Sequence, residues 1–233
     1  MVDLTSEMAE LWAALGPPQA GPARVIQFAS AASGEGTSTV AREFARFAAA
    51  RTRRPVWLVD LDFADSSQHR LIGADPARFG ALGQACAASP DGSVFYAVQP
   101  PARDAEGRAV PDARYLVAHP VEGSQLWVTR FRRELLRPGQ GVRMRPGPDY
   151  WNALRQHAEL VVVDSPSAER SSAGLAMAPF MDFTVLVVAA DVADAAQLAA
   201  LKDAIIAAGG RCAGLVFNRE TVRAPGFLRA ALP

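Results

Sequence analysis

The 233-residue chain is half hydrophobic and about a fifth charged, which excludes the disordered and fibrous classes of protein. Its 24 basic residues balance its 24 acidic residues, and this argues against nucleic acid held by bulk charge. Two cysteines cannot form a disulfide framework, and the longest apolar run, Val185 to Ala190, is too short to span a membrane. Since no signal peptide precedes Asp3 and Glu7, we expect a cytoplasmic protein that forms one domain over residues 1–233.

The predicted elements alternate between helices and buried strands along the chain. Residues 1–22 are predicted to form an N-terminal helix, over 4–15, and a Gly/Pro linker. In chain order we then expect strands over 24–30, 56–60, 160–164, 184–189 and 212–217, with helices over 37–50, 150–157 and 193–208. Because these strands lack polar alternation, the sequence predicts a doubly wound, mostly parallel α/β sheet of the P-loop type.

The segment from residue 75 to residue 148 is the least regular part of the sequence. It holds much of the proline and glycine, with weaker strand patterns at 93–98, 114–118 and 125–129. We interpret it as an elaboration at the edge of the sheet.

A loop of small residues connects the strand at 24–30 to the helix at 37–50. It reads Ser30-Ala31-Ala32-Ser33-Gly34-Glu35-Gly36-Thr37-Ser38-Thr39. In a strand–loop–helix unit, successive backbone N–H groups and the helix N-terminus face one anion. The Walker A motif requires Gly, four residues, then Gly-Lys-Ser/Thr, and here Ala31, Gly36 and Thr37 stand at its Gly, Gly and Lys positions. Ser38 keeps the hydroxyl that would bind Mg²⁺, although the fragment alone fits a tight turn equally well.

Two other predicted strands end in carboxylates. Asp60 and Asp62 follow one strand, and Asp164 ends another before Ser165 and Pro166. Carboxylates at strand ends beside a phosphate loop bind Mg²⁺ and position an attacking hydroxyl. Each aspartate alone is also an ordinary cap or turn residue, but their order after the loop favours a phosphate site.

These motifs together resemble the cytoplasmic domain of bacterial tyrosine kinases. The segments that carry the resemblance are 33–39, Asp60-Leu61-Asp62 with 69–73, Asp164-Ser165-Pro166, and 213–219. Those kinases are deviant Walker ATPases of the MinD/ParA type. They work with membrane polysaccharide co-polymerases in capsule and exopolysaccharide export.

The resemblance implies a set of site residues and ligands. It implies ATP or ADP with Mg²⁺ as cofactor, and an inner-membrane co-polymerase as the partner that would hold the protein at the inner face of that membrane. Asp62 and Asp60 would be the catalytic residues, and Asn218 occupies the adenine-contacting position. The nucleotide would be held by Ser33, Gly34, Glu35, Gly36, Thr37, Ser38, Thr39, Asn218 and Arg219, and the metal by Ser38, Asp60 and Asp164.

Four departures from the family pattern argue that the kinase cycle is lost. Thr37 replaces the lysine that neutralises the β/γ-phosphates, although the chain holds 23 arginines that could have kept the charge. Ala64 and Asp65 stand where the family has arginine, and the helix 4–15 lacks the family's Glu/Arg oligomerisation pattern. The tail at 221–233 contains no tyrosine. We therefore expect a regulatory binding protein with weak affinity for ATP.

Alternatives remain at this stage. One is an active autokinase or ATPase in which Arg51, Arg53 or a partner's cation replaces the lysine, and another is a MinD/ParA-type positioning switch. Six arginines between Arg130 and Arg145, opposed only by Glu134, could contact anionic membrane lipids or an acidic cytoplasmic tail, or could form a solvated loop.

Overall fold

Strands and helices alternate along the chain in a computed structural model that describes residues 4–18, 21–191 and 194–219. The strands are β1 (Arg24–Ala29), β2 (Val56–Asp60), β3 (Cys86–Ala87), β4 (Tyr96–Gln99), β5 (Leu116–Pro120), β6 (Leu126–Phe131), β7 (Gly141–Met144), β8 (Leu160–Asp164), β9 (Phe183–Ala189) and β10 (Cys212–Asn218). The helices are α1 (Thr5–Leu15), α2 (Thr37–Ala49), α3 (Ser67–Ala74), α4 (Pro76–Phe79), α5 (Asp149–His157), α6 (Ala173–Met177) and α7 (Ala195–Ala207). Short 3₁₀ helices lie at 112–115, 133–135 and 178–180.

One sheet of eight strands organises the structure. Its order is β10-β9-β1-β8-β2-β6-β5-β3, and the six strands from β10 to β6 run parallel. Strands β5 and β3 join the far edge antiparallel, and β4 pairs with β7 in a separate two-stranded sheet. The predicted doubly wound, mostly parallel α/β sheet is confirmed.

Helices cover both faces of the sheet. On one face α2 packs through Phe44 onto Phe28 of β1, with ring centroids 5.4 Å apart, and Trp12 of α1 lies on Phe44 in turn. On the other face Trp151 of α5 stacks on Phe95. Every residue of β2 and β8 is buried between these layers, which explains their unbroken apolar sequence.

The observed bounds differ from the predicted ones mainly at helix and strand ends. The helix α3 was not predicted, because its sequence, SQHRLIGA, presents few apolar residues at helical spacing. Residues 19–20 of the predicted linker, the start of the predicted helix at 193 and the tail at 221–233 lie outside the described residues. Among the helices that the structure describes, no segment is both long and apolar enough to cross a bilayer.

Candidate functional site

A cavity of about 330 Å³ lies at the carboxyl ends of β1, β2 and β8. Its walls come from the small-residue loop, from Asp62 after β2, and from Asp164 to Ser167 after β8. Asp60 is buried, and one of its carboxylate oxygens accepts a hydrogen bond from the Asp62 N–H at 2.8 Å. The structure therefore brings together the three segments that the sequence analysis assigned to one site.

The backbone of the loop has the shape of an anion cradle. Gly34 and Gly36 have φ of +83° and +91°, a conformation that side-chain-bearing residues rarely adopt. Helix α2 begins at Thr37 and runs for 13 residues, so its N-terminus faces the cavity. Among the described residues no acceptor binds the N–H groups of Gly34, Gly36 and Thr37, and these groups remain available to a phosphate.

Thr37 itself adds no charge to this cradle. The residue is only 6 % exposed, and its hydroxyl has no hydrogen-bond partner in the described residues. A buried hydroxyl without a partner costs free energy, and a phosphate oxygen at the cavity would relieve that cost. The position therefore supplies a hydrogen-bonding group to an anion but no cation.

Two glutamates already bind the first half of the loop. The Glu35 carboxylate accepts a hydrogen bond from the Ala32 N–H at 2.8 Å, and the Glu169 carboxylate accepts one from the Ser33 N–H at 2.6 Å. The hydrogen bonds from Ser33 hold the pKa of Glu169 below its usual value. Glu169 belongs to the loop after β8 and was not identified from the sequence, since its partner lies 136 positions away.

Asp60 and Asp164 form a buried pair of carboxyl groups. They occupy partner positions on β2 and β8 and are 3 % and 2 % exposed. Burial raises the pKa of Asp164 to about 6, and burial together with the Asp164 charge raises the pKa of Asp60 well above its usual value. One oxygen of Asp164 has no partner in the described residues. Asp164 and Ser38 line the cavity and are the residues that could hold a Mg²⁺ ion there. Both Asp60 oxygens, in contrast, already accept hydrogen bonds from the N–H groups of Asp62 and Gln68.

Gln68 of α3 connects the two aspartates to the loop. Its backbone N–H donates to Asp60 at 3.1 Å, and its side-chain amide donates to Asp164 at 2.6 Å and to the Ser38 carbonyl at 2.8 Å. The guanidinium of Arg42 donates to the Gln68 side-chain oxygen at 3.3 Å. Sequence reasoning missed both residues. Arg42 could have been identified from the sequence as a charged residue among Val40, Ala41 and Phe44, on the buried side of α2. Gln68 could not, because the helix α3 that carries it was not predicted.

Asp62 is paired with an arginine from another part of the chain. Arg170, in the loop after β8, contacts the Asp62 carboxylate at 2.9 Å. Ala64 stands where the tyrosine kinases that the sequence resembles have arginine, and its carbonyl accepts a hydrogen bond from Arg133. Arg170 therefore supplies a cation beside Asp62 that the local sequence lacks.

Asn218 and Arg219, at the end of β10, hold the loop. The Asn218 amide donates to the Glu35 carbonyl at 2.9 Å, and the Arg219 guanidinium donates to the Gly34 carbonyl at 2.6 Å. A methyl group added at Gly36 would lie 1.9 Å from the Asn218 amide nitrogen. Both predicted nucleotide residues thus contact the loop backbone, and the adenine role of Asn218 stays a prediction.

The charges around the cavity are mainly negative. Four carboxylates line it, on Glu35, Asp62, Asp65 and Asp164, against the guanidinium groups of Arg170 and Arg219. Both guanidinium groups are engaged with protein acceptors. The backbone cradle offers N–H groups to an anion, but among the described residues no uncommitted cation lines the cavity to contact the β- and γ-phosphates of a nucleoside triphosphate.

The suggested replacement of the lysine by Arg51 or Arg53 is wrong. The Arg51 guanidinium lies over the Phe47 ring, 3.4 Å from its centroid, at the C-terminal end of α2. The Arg53 N–H donates to Glu159 before β2 begins. Both residues sit at the opposite end of α2 from Thr37, roughly 20 Å away at the usual helical rise.

Comparison with solved structures gives the same fold. The chimeric protein CapA2B2 aligns with a TM-score of 0.54 and 16 % identity over 86 % of this chain and 78 % of its own. The kinase domain of the Escherichia coli tyrosine kinase ETK aligns with a TM-score of 0.52 and 13 % identity, over 87 % and 71 % of the two chains. A nucleotide-binding protein in complex with ADP from Archaeoglobus fulgidus aligns with a TM-score of 0.50 and 15 % identity, over 92 % and 71 %.

The kinase domains of VpsO and BceF are further neighbours. No protein-family model matches the sequence, and neither does any curated protein. The likeness is therefore one of fold: the chain folds as bacterial tyrosine kinase domains do.

Proposed function

We propose that this protein is a degenerate, tyrosine-kinase-like regulatory subunit of bacterial exopolysaccharide or capsule synthesis and export. It acts by binding an inner-membrane polysaccharide co-polymerase at the cytoplasmic face of that membrane, and it neither hydrolyses ATP at an appreciable rate nor phosphorylates tyrosine. The fold it shares with tyrosine kinase domains supports the kinase-like part of this proposal. The sequence motifs support the polysaccharide context.

One observation carries the loss of activity. Thr37 stands where the phosphoryl-transfer lysine would lie, and its buried hydroxyl has no partner in the part of the chain that the structure describes. The cavity around it is lined by more carboxylates than guanidinium groups. In phosphoryl transfer the protein contributes chiefly positioning and positive charge. This site retains a positioning backbone and has lost the charge, so it fits weak binding of a phosphate better than turnover.

Titration calorimetry of ATP with Mg²⁺ into the native protein and into Thr37→Lys tests the proposal. A charge-assisted contact is worth about 1.5–3 kcal/mol, so we expect the lysine to tighten binding about tenfold to a hundredfold. Thr37→Gln is the matched control, since it adds a long side chain without a charge and should leave the affinity close to that of the native protein. Tight binding by the native protein that Thr37→Lys leaves unchanged would contradict the proposal.

A second candidate is an active autokinase or ATPase with an atypical phosphate loop. Arg170 and Arg219 line the cavity, and release of either from its protein acceptor would give the missing cation. Purified protein incubated with γ-labelled ATP and Mg²⁺ distinguishes the two candidates. Incorporation that disappears in Asp62→Ala supports the enzyme, whereas the absence of incorporation and of phosphate release supports the regulatory subunit.

A further inference from the structure

A second cavity, of about 360 Å³, adjoins the candidate site on the other side of the Asp62–Arg170 ion pair. Its walls combine the segment after β2 with β6, the turn at 132–140 and β7. The side chains that make its floor are apolar: Leu61, Phe63, Phe131, Leu136, Val142 and Met144. Arg133, in the turn at 132–140, also lines this cavity. None of the six apolar side chains lines the cavity of the candidate site.

Three arginines of the turn at 132–140, of which Arg133 lines the cavity, carry charge that no described carboxylate neutralises. Arg133 donates to the Ala64 carbonyl, Arg137 to the Arg103 carbonyl, and Arg132 to the Arg114 carbonyl at 2.5 and 3.0 Å. Among the described residues none of these guanidinium groups has a carboxylate within ion-pair distance, whereas Arg130 of β6 is paired with Glu134.

Backbone carbonyls hold these arginines in place without neutralising them. A carbonyl oxygen satisfies the donor and restrains the long side chain, but the full positive charge remains. A ligand that binds these groups loses little additional side-chain entropy, because the rotamers are already fixed. The result is a preorganised basic turn beside an apolar cavity.

We propose that this cavity and the basic turn at 132–140 that forms one of its walls are the docking site for an acidic peptide segment of a protein partner, with one aromatic or aliphatic side chain inserted into the cavity. The inference deepens the proposed function, because it gives the chemistry by which a partner is recognised. Charge complementarity selects the acidic flanks, and a buried apolar anchor surrounded by polar contacts is the usual arrangement of a binding hot spot.

The structure favours a peptide over a membrane surface at this face. The large hydrophobic side chains exposed among the described residues are Leu71, Ile206, Leu215 and Phe217, and none of them lies between residues 100 and 145. Peripheral membrane binding combines basic charge with apolar side chains that insert between lipids. Here the apolar side chains line a cavity, and backbone carbonyls restrain the arginines. This arrangement suits a partner side chain inserted into the cavity better than protein side chains inserted into a bilayer.

A synthetic peptide tests the proposal directly. The probe is Glu-Asp-Glu-Phe-Glu-Asp-Glu with blocked ends, titrated into the full chain by calorimetry at low and at moderate salt. Replacing the peptide's Phe by Ala should weaken binding about tenfold through loss of the anchor, and replacing its acidic residues by Lys should abolish it. On the protein, Arg133→Glu with Arg137→Glu should weaken binding about tenfold or more.

Arg54→Glu is the matched control, because Arg54 is exposed, donates to the Gln156 carbonyl, and lies at the opposite end of β2. It should leave peptide binding unchanged. Leu136→Ser removes part of the cavity floor and should reduce the advantage of Phe over Ala, while circular dichroism verifies that the fold is retained.

Each result distinguishes this proposal from its alternatives. Equal affinity for the Phe and Ala peptides would overturn the role of the cavity. No binding of the peptide, or equal loss in Arg54→Glu, would overturn the docking site. Binding of phosphatidylglycerol vesicles, lost in the double charge reversal while the peptide does not bind, would assign the face to lipid. None of these outcomes depends on ATP, so they are independent of the nucleotide titration.

Discussion

Replacing Asp164 by asparagine removes a charge from the most deeply buried part of the candidate site. The carboxyl group is 2 % exposed, and one of its oxygens has no partner in the described residues. An asparagine oxygen can still accept the hydrogen bond that the Gln68 amide donates at 2.6 Å. The substitution therefore keeps the shape and the main contact and removes the desolvated charge.

The pKa of Asp164 fixes the size and the pH dependence of the effect. Burial raises this pKa from its ordinary 3.8 to about 6, so the folded protein binds the proton more tightly than the unfolded chain does. The stability contributed by the protonated carboxyl is fully present below about pH 4 and is lost as the pH rises through about 6. The difference between the unfolded and the folded pKa of Asp164 corresponds to at most about 3 kcal/mol of unfolding free energy. Asp164→Asn should recover this stability at neutral pH.

Urea unfolding at pH 4.5 and at pH 7.5 measures this difference. We expect Asp164→Asn to be more stable than the native protein by up to about 3 kcal/mol at pH 7.5 and by only about 1 kcal/mol at pH 4.5, where the unfolded carboxyl group is largely ionised and the folded one is still protonated. Asp203→Asn, on the exposed side of α7, is the control and should change neither value. If Asp164→Asn were instead less stable at pH 7.5, the carboxylate would be a net favourable acceptor and the reasoning from burial would be refuted.

Two further predictions concern glycine geometry and buried hydroxyls. Gly36→Ala should destabilise the protein in thermal unfolding by more than Gly34→Ala. The added methyl at Gly36 meets the Asn218 amide at 1.9 Å, whereas at Gly34 it meets no described atom within 4 Å; equal losses would mean that backbone strain alone acts. Tyr150→Phe should leave the free energy of unfolding unchanged or raise it, since the hydroxyl is buried without a partner in the described residues, whereas Tyr96→Phe should cost about 1 kcal/mol, because its hydroxyl donates to a backbone carbonyl at 2.8 Å. If urea unfolding showed a larger loss of unfolding free energy for Tyr150→Phe than for Tyr96→Phe, the prediction would be contradicted.

The sequence predicted the parallel core well because its signal is local. Strands β2 and β8 are runs of apolar residues that are buried on both faces, and their predicted bounds match the observed Val56–Asp60 and Leu160–Asp164. The apolar runs also predicted that Asp60 and Asp164 would lie close together. Each aspartate ends one of these strands, and parallel strands place their carboxyl ends at one edge of the sheet.

The residues that were missed act through contacts that a linear pattern does not contain. Gln68, Glu169 and Arg170 reach the site from loops or from an unpredicted helix, and each binds a group about 30 to 140 positions away. No periodicity links such partners. The irregular segment was also hard to interpret, because strands β3, β4 and β7 are two to four residues long.

The order of strands in the sheet also has a consequence for how the chain acquires its structure. Strand β1 pairs with β8 and β9, so that Val25 lies beside Val161 and Ile26 beside Phe183. Contacts of such long sequence separation form slowly, because the entropy of closing the intervening loop has to be lost first. During synthesis β1 also emerges from the ribosome long before β8 and β9 have been made, because they lie more than 130 positions later in the chain. Its apolar sequence, RVIQFA, stays exposed in that interval and is where we expect a chaperone to bind the nascent chain.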